Sequence, residues 1–127
     1  MNKQAVVFGA LTGLLVQIGA GIVMGMLWIH GNVSGVFVSQ IVAALISAFI
    51  AGLVAAIISG RKQIIHGVAA VLVLLLASII NNIFTGNFDL GGLLIGAILA
   101  PAVGCFGAGA VVLARQINLS RYHRIAK

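Results

Sequence analysis

The chain has 127 residues, 62% of them hydrophobic and only 6% charged, and its formal charge is +6. A soluble domain carries about 25% charged residues, so there is too little polar surface here to cover a globule in water. That sets aside soluble enzymes and soluble nucleic-acid-binding modules, and it turns the basic excess into a statement about membrane topology and anionic lipid.

A hydrocarbon span needs about 20 mostly apolar residues, and four such runs fill most of the sequence. The first is expected from about Ala5 to Ile29. It is longer than the roughly 7–15-residue apolar core of a signal peptide, which favours a retained span. Gly9, Gly13, Gln17, Gly21 and Gly25 recur along it at every fourth position, and Trp28 and His30 close it. A turn-rich connection, His30-Gly-Asn-Val-Ser-Gly35, follows.

The second span is expected from about Val36 to Ser59. Ala44, Ala48, Gly52 and Ala56 repeat the four-residue rhythm, Gln40 lies near the start and Ser47 at the centre. Gly60-Arg61-Lys62-Gln63 reads as a tight basic turn. The third span, from about Ile64 to Thr85, carries Asn81 and Asn82 near its end. After the turn Gly86-Asn-Phe-Asp89, the fourth span runs from about Leu90 to Ala114. It holds Gly92, Gly96, Ala100, Gly104 and Ala108, with Pro101 near its middle. A basic tail, 115–127, follows and is compatible with continued helix. The expected fold class is therefore all-α: one transmembrane domain of four helices in an up-down bundle.

The seven basic residues are Lys3, Arg61, Lys62, Arg115, Arg121, Arg124 and Lys127. They fall at the N-terminus, in the second connection and in the tail, and the first and third connections have none. The positive-inside rule then places both termini and the Arg61–Lys62 turn in the cytoplasm, and the expected location is the cell membrane. Arg61, Lys62, Arg115, Arg121, Arg124 and Lys127 are the expected contacts to anionic headgroups.

Residues four apart share a helix face. Lipid solvates Leu as well as a neighbouring helix does, so close backbone approach, permitted by Gly or Ala, is what drives helix association in a bilayer. The three stripes are the expected packing faces. Whether each meets a helix of the same chain or of a second subunit is open at this level.

Gln17, Ser47 and Pro101 lie near the centres of their spans and so near one plane. Pro101 lacks an N–H, which strips the Ala97 carbonyl of its helical partner, and a bare carbonyl in hydrocarbon needs another donor. The expectation is a midplane hydrogen-bond cluster of Gln17, Ser47 and the helix at Pro101. A second polar group, including Gln40, Asn81, Asn82 and Asp89, gathers at the outer end.

No span carries an acidic side chain, because Asp89 is the only acid in the chain. Cation-coupled transport usually uses an intramembrane carboxylate, so a coupled antiporter is disfavoured. His30 and His66 fall at opposite ends of a core roughly 30 Å thick and cannot share a haem. His66 and His123 lack carboxylate or thiolate support for a metal, and His66 is expected as an interfacial residue near Arg61 and Lys62. The lone Cys105 has no internal disulfide partner. There is no Ser/His/Asp set, no paired carboxylates and no phosphate loop. No cofactor, no metal, no catalysis and no nucleic-acid partner are expected.

The stretch Ala51-Gly52-Leu53-Val54-Ala55-Ala56 through Ser59-Gly60-Arg61-Lys62-Gln63-Ile64-Ile65-His66-Gly67 resembles the centre of the YrzE-like small four-span membrane proteins. In that family a Gly/Ala-rich second span is followed by a short basic turn and a His-Gly or similar start to the third. The resemblance implies the four-span fold and no chemistry, since the family has no assigned activity. Four-span fluoride channels share the length, but their Gly-Gly-x-x-Gly-Ala-x-x-Arg opening is not found here. The expected role is a structural or accessory subunit packing against other membrane subunits or itself. The alternative is a homo-oligomeric passive channel or transporter for a small solute.

Overall fold

The computed structural model describes residues 2–30, 33–60, 62–84 and 90–125, with side-chain surroundings for 2–30, 40–60, 62–84 and 94–119. The described residues form four α-helices and no strand: α1 Lys3–Ile29, α2 Val33–Ser59, α3 Gln63–Phe84 and α4 Leu90–Ile125. Each contains a segment long and apolar enough to cross a membrane. At 1.5 Å per residue, α1 and α2 are about 40 Å long, α3 about 33 Å and α4 about 54 Å. The fourth helix therefore outruns a hydrocarbon core of about 30 Å. It passes without a break through Pro101 and on beyond Ala114 into the basic tail.

Local chemistry explains the helix ends. Asn2 caps α1, its side-chain oxygen accepting from the Ala5 N–H at 3.4 Å, and Asn is among the best N-cap residues. His30 closes the same helix, with its backbone N–H turned back to the Met26 and Trp28 carbonyls. Gly60 takes φ 67 directly after α2, the left-handed conformation that ends many helices and favours glycine. Lys62, also left-handed at φ 51, immediately precedes α3.

α2 and α3 form the centre. They pack on each other, α1 packs against both and α4 packs against both, while no described residue of α1 meets α4. The bundle is a four-helix diamond with α1 and α4 on opposite flanks.

Close approach is concentrated where particular glycines lie. A Cβ on Gly9 would sit 2.6 Å from the Ala51 carbonyl oxygen and 2.8 Å from the Ala55 Cβ. One on Gly13 would meet Ala51 at 3.0 Å and the Ser47 carbonyl at 3.1 Å. The Ser47, Ala51, Ala55 row of α2 thus faces α1. On the other flank, Gly52 lies against the backbone of Gly104, and Gly107 against the backbone of Phe49 and Leu53. Gly67 of α3 fits against Ala108 and Gly52, and Gly104 against Val71. Ala48, Ala51, Val71 and Leu74 make a buried cluster, with Leu14, Ala100 and Val103 packed on it.

Within this chain the four-residue stripes are covered only in part. A Cβ placed on Gly21 or Gly25 would have nothing of this chain within 4 Å. Ala44 is exposed, and Gly96 makes only an ordinary 3.7 Å contact to Leu75. Gly92 lies outside the residues whose surroundings are described. The reason is helical geometry. At 3.6 residues per turn, each step of four advances about 40° around the helix, so Gly25 lies roughly 160° from Gly9. The covered positions that continue along the whole of α1 are instead Val6, Ala10, Gly13, Gln17, Ala20, Met24 and Leu27. Their spacing alternates four and three, a 3.5-residue repeat that stays on one face of the helix.

The outer surface is apolar on every helix. Ile29, Phe84, Ile98 and Phe106 are each more than 70% exposed. Apolar area on this scale marks contact with lipid or with other apolar protein.

Candidate functional site

Three polar side chains meet inside the bundle. Gln17 of α1 donates from Nε2 to Ser47 Oγ of α2 at 3.3 Å. Ser78 Oγ of α3 donates to Gln17 Oε1 at 3.2 Å. Each serine is also tied to its own helix: Ser47 Oγ to the Ala44 carbonyl at 2.9 Å, and Ser78 Oγ to the Leu74 carbonyl at 3.1 Å. A hydroxyl has one proton, so Ser78 shares it between two acceptors. Ser47 is fully buried, and Gln17 and Ser78 are partly buried. The amide bridges all three helices of one half of the diamond.

The expected membership of this cluster was Gln17, Ser47 and the helix at Pro101. Gln17 and Ser47 are brought together, but Pro101 is not part of the group. Equal depth does not make neighbours: α1 and α4 lie on opposite flanks, so the Gln17 amide does not reach the Ala97 carbonyl. Ser78 takes the third place. Its signal in the sequence was a hydroxyl inside an apolar run, one helical turn from Leu74 on the buried face of α3.

A second polar joint lies at the end of the bundle that carries the basic residues. His66 is only 4% exposed. Its Nε2 accepts from the Asn2 backbone N–H at 2.7 Å, and its Nδ1 lies 2.9 Å from the Lys62 carbonyl. Because one partner is a donor and the other an acceptor, the ring carries its proton on Nδ1. His66 therefore couples the start of α1 to the start of α3, a role well beyond the interfacial position expected for it.

Arg115 works in a similar way between α4 and α2. Its Nη1 donates to the Gly60 carbonyl at 3.0 Å and its Nη2 to the Ile57 carbonyl at 3.1 Å. These carbonyls belong to the end of α2, where the helix lacks internal donors and a cation is favoured by the dipole. Ser59 Oγ serves the Ala56 carbonyl nearby at 3.1 Å. Arg115, expected as a headgroup contact, has two of its five donors on protein carbonyls.

Of the remaining expected residues, Lys62 is exposed beside this joint. Gln40, Asn81 and Asn82 are exposed toward the opposite end. Arg61, Asp89 and Lys127 lie outside the described residues, as do the side chains of Arg121 and Arg124. Among the described residues, no buried side-chain nitrogen or oxygen lacks a hydrogen-bond partner, and no group of three or more His, Cys, Asp or Glu could hold a metal.

Fold and polar joints together define an all-α protein with four helices suited to crossing a membrane, locked by internal hydrogen bonds. No protein-family model, curated protein or solved structure matches the chain.

Proposed function

We propose that this chain is a non-catalytic integral membrane protein, N-in and C-in, whose role is to pack against other membrane-embedded helices, its own copies or a different subunit. The observation that carries this reading is how the polar groups of the spans are used. Gln17 bonds to both Ser47 and Ser78, each serine bonds also to its own helix, and the α2–α4 seam beside them is closed at backbone distance. A solute path needs polar groups that can exchange their partners for the solute, whereas these act as interhelical ties. Gly21 and Gly25, open on the flank of α1, remain available for intermolecular contact.

The resemblance of residues 51–67 to the YrzE-like proteins supports only the four-span membrane fold in this reading. The competing function, a passive channel, rests on the polar character of the Gln17 group. Purified protein reconstituted in liposomes separates the two. The packing role predicts no solute flux above that of empty liposomes. Flux that is abolished by Gln17→Leu would overturn it.

A further inference from the structure

We propose that the rim formed by Lys3, Lys62 and Arg115 is a binding surface for the headgroup of an anionic phospholipid. The inference rests on the membrane-spanning reading above and gives the expected contact with anionic headgroups a defined place that includes Lys3. The three cations come from different parts of the chain: the first turn of α1, the α2–α3 turn and the distal half of α4. Hydrogen bonds hold these parts together. Asn2, next to Lys3, is joined to His66, and His66 to the backbone of Lys62. Arg115 is joined to Gly60, two residues before Lys62. The rim is thus a fixed feature of the tertiary structure.

Among the described residues no acidic side chain accompanies these cations. The only acid in the chain, Asp89, falls in the connection between α3 and α4. α3 leads away from the rim to Phe84 at the opposite end of the bundle. Lys3 and Lys62 are exposed, and Arg115, also exposed, keeps donors beyond the two it places on carbonyls. Exposed cations set at the end of membrane-crossing helices are complementary to phosphate-bearing headgroups in the adjoining leaflet. An apolar helix surface borders them, with Val7, Ile64 and Ile65 exposed, so the acyl chains of the same lipid have a surface to lie on. That neighbouring apolar surface is why the ligand is a lipid and not a free anion.

The test uses the full chain in mild detergent, titrated with short-chain phosphatidylglycerol and, separately, with phosphatidylcholine of the same chain length. Phosphatidylglycerol should bind in preference. Each basic residue near a headgroup contributes enough for about a fivefold change in affinity, so Lys3→Gln with Lys62→Gln should weaken phosphatidylglycerol binding roughly 25-fold at low salt. Lys3→Arg with Lys62→Arg should restore the preference. Circular dichroism of the variants checks that the helices persist, which separates loss of the rim from loss of the membrane fold. Equal binding of the two lipids overturns the proposal. So does a preference unchanged by the double Gln substitution, or competition by inorganic phosphate as effective as that by the lipid.

Discussion

Alanine in place of Gly52 or of Gly21 adds the same methyl group, and the structure assigns the two changes opposite signs. At Gly52 the new Cβ would lie 2.9 Å from both the carbonyl carbon and the Cα of Gly104. Optimal carbon contacts need about 3.5–4.0 Å, so α2 and α4 must separate by roughly 0.6 Å or more. Both sides of the contact are backbone, and no flexible side chain can yield. Overpacking of this kind costs about 1–3 kcal/mol, and the upper part of that range applies because Gly107 and Gly67 depend on the same seam. Alanine favours helix over glycine by about 1 kcal/mol, which offsets part of the loss. The expected net destabilisation of Gly52→Ala is about 1–2 kcal/mol. Gly21→Ala meets open space and should be neutral or stabilising by up to about 1 kcal/mol. Thermal unfolding of the two variants in the same mild detergent, followed by circular dichroism, gives the comparison. If Gly52→Ala unfolds at or above the wild-type temperature while Gly21→Ala unfolds below it, the assignment of the seam to Gly52 and Gly104 is wrong.

Other substitutions probe the polar joints. Gln17→Leu removes two interhelical bonds, but both serines keep carbonyl partners on their own helices. The loss in a detergent unfolding titration should therefore stay near ~1 kcal/mol, below that of Gly52→Ala; a loss of several kcal/mol would show a network larger than the three residues described. Arg115→Ala frees the Ile57 and Gly60 carbonyls at an exposed helix end, for a loss of about 0.5 kcal/mol. Hydrogen exchange should then rise in the last turn of α2, and unchanged exchange there would argue against the cap. For His66, nitrogen NMR of labelled protein should find the proton on Nδ1 and a bare Nε2, whereas the reverse tautomer would contradict the bond from the Asn2 N–H.

Much of this architecture is readable from residue order. Four apolar runs bounded by Gly, Asn and basic residues give the helices, because charge and length constrain a span more than any local propensity does. α2 starts three residues before the expected Val36, since nothing in Val33-Ser34-Gly35 forbids helix. The partners of each face are less accessible. A row of every fourth residue looks continuous on paper and spirals away from the seam on a helix, which is why Gly9 and Gly13 pack within the chain while Gly21 and Gly25 meet nothing of it. The 3.5-residue spacing from Val6 to Leu27 is present in the sequence but obscured by glycines one step away from it. Gly107 escapes notice for the same reason, as it lies beside the Gly104–Ala108 row. Depth places Gln17 and Pro101 in one plane, yet only the diamond arrangement determines that Gln17 meets Ser78 instead. Spacing could not pair His66 with Asn2, because their contact spans 64 positions of sequence.

The most direct test of the packing role is the native mass of the full chain, extracted from its own membrane in a mild detergent that preserves subunit contacts. The packing role predicts an assembly of fixed stoichiometry, formed with further copies or with another membrane protein. A single chain carrying only lipid and detergent, under conditions in which the helices remain folded, would contradict it.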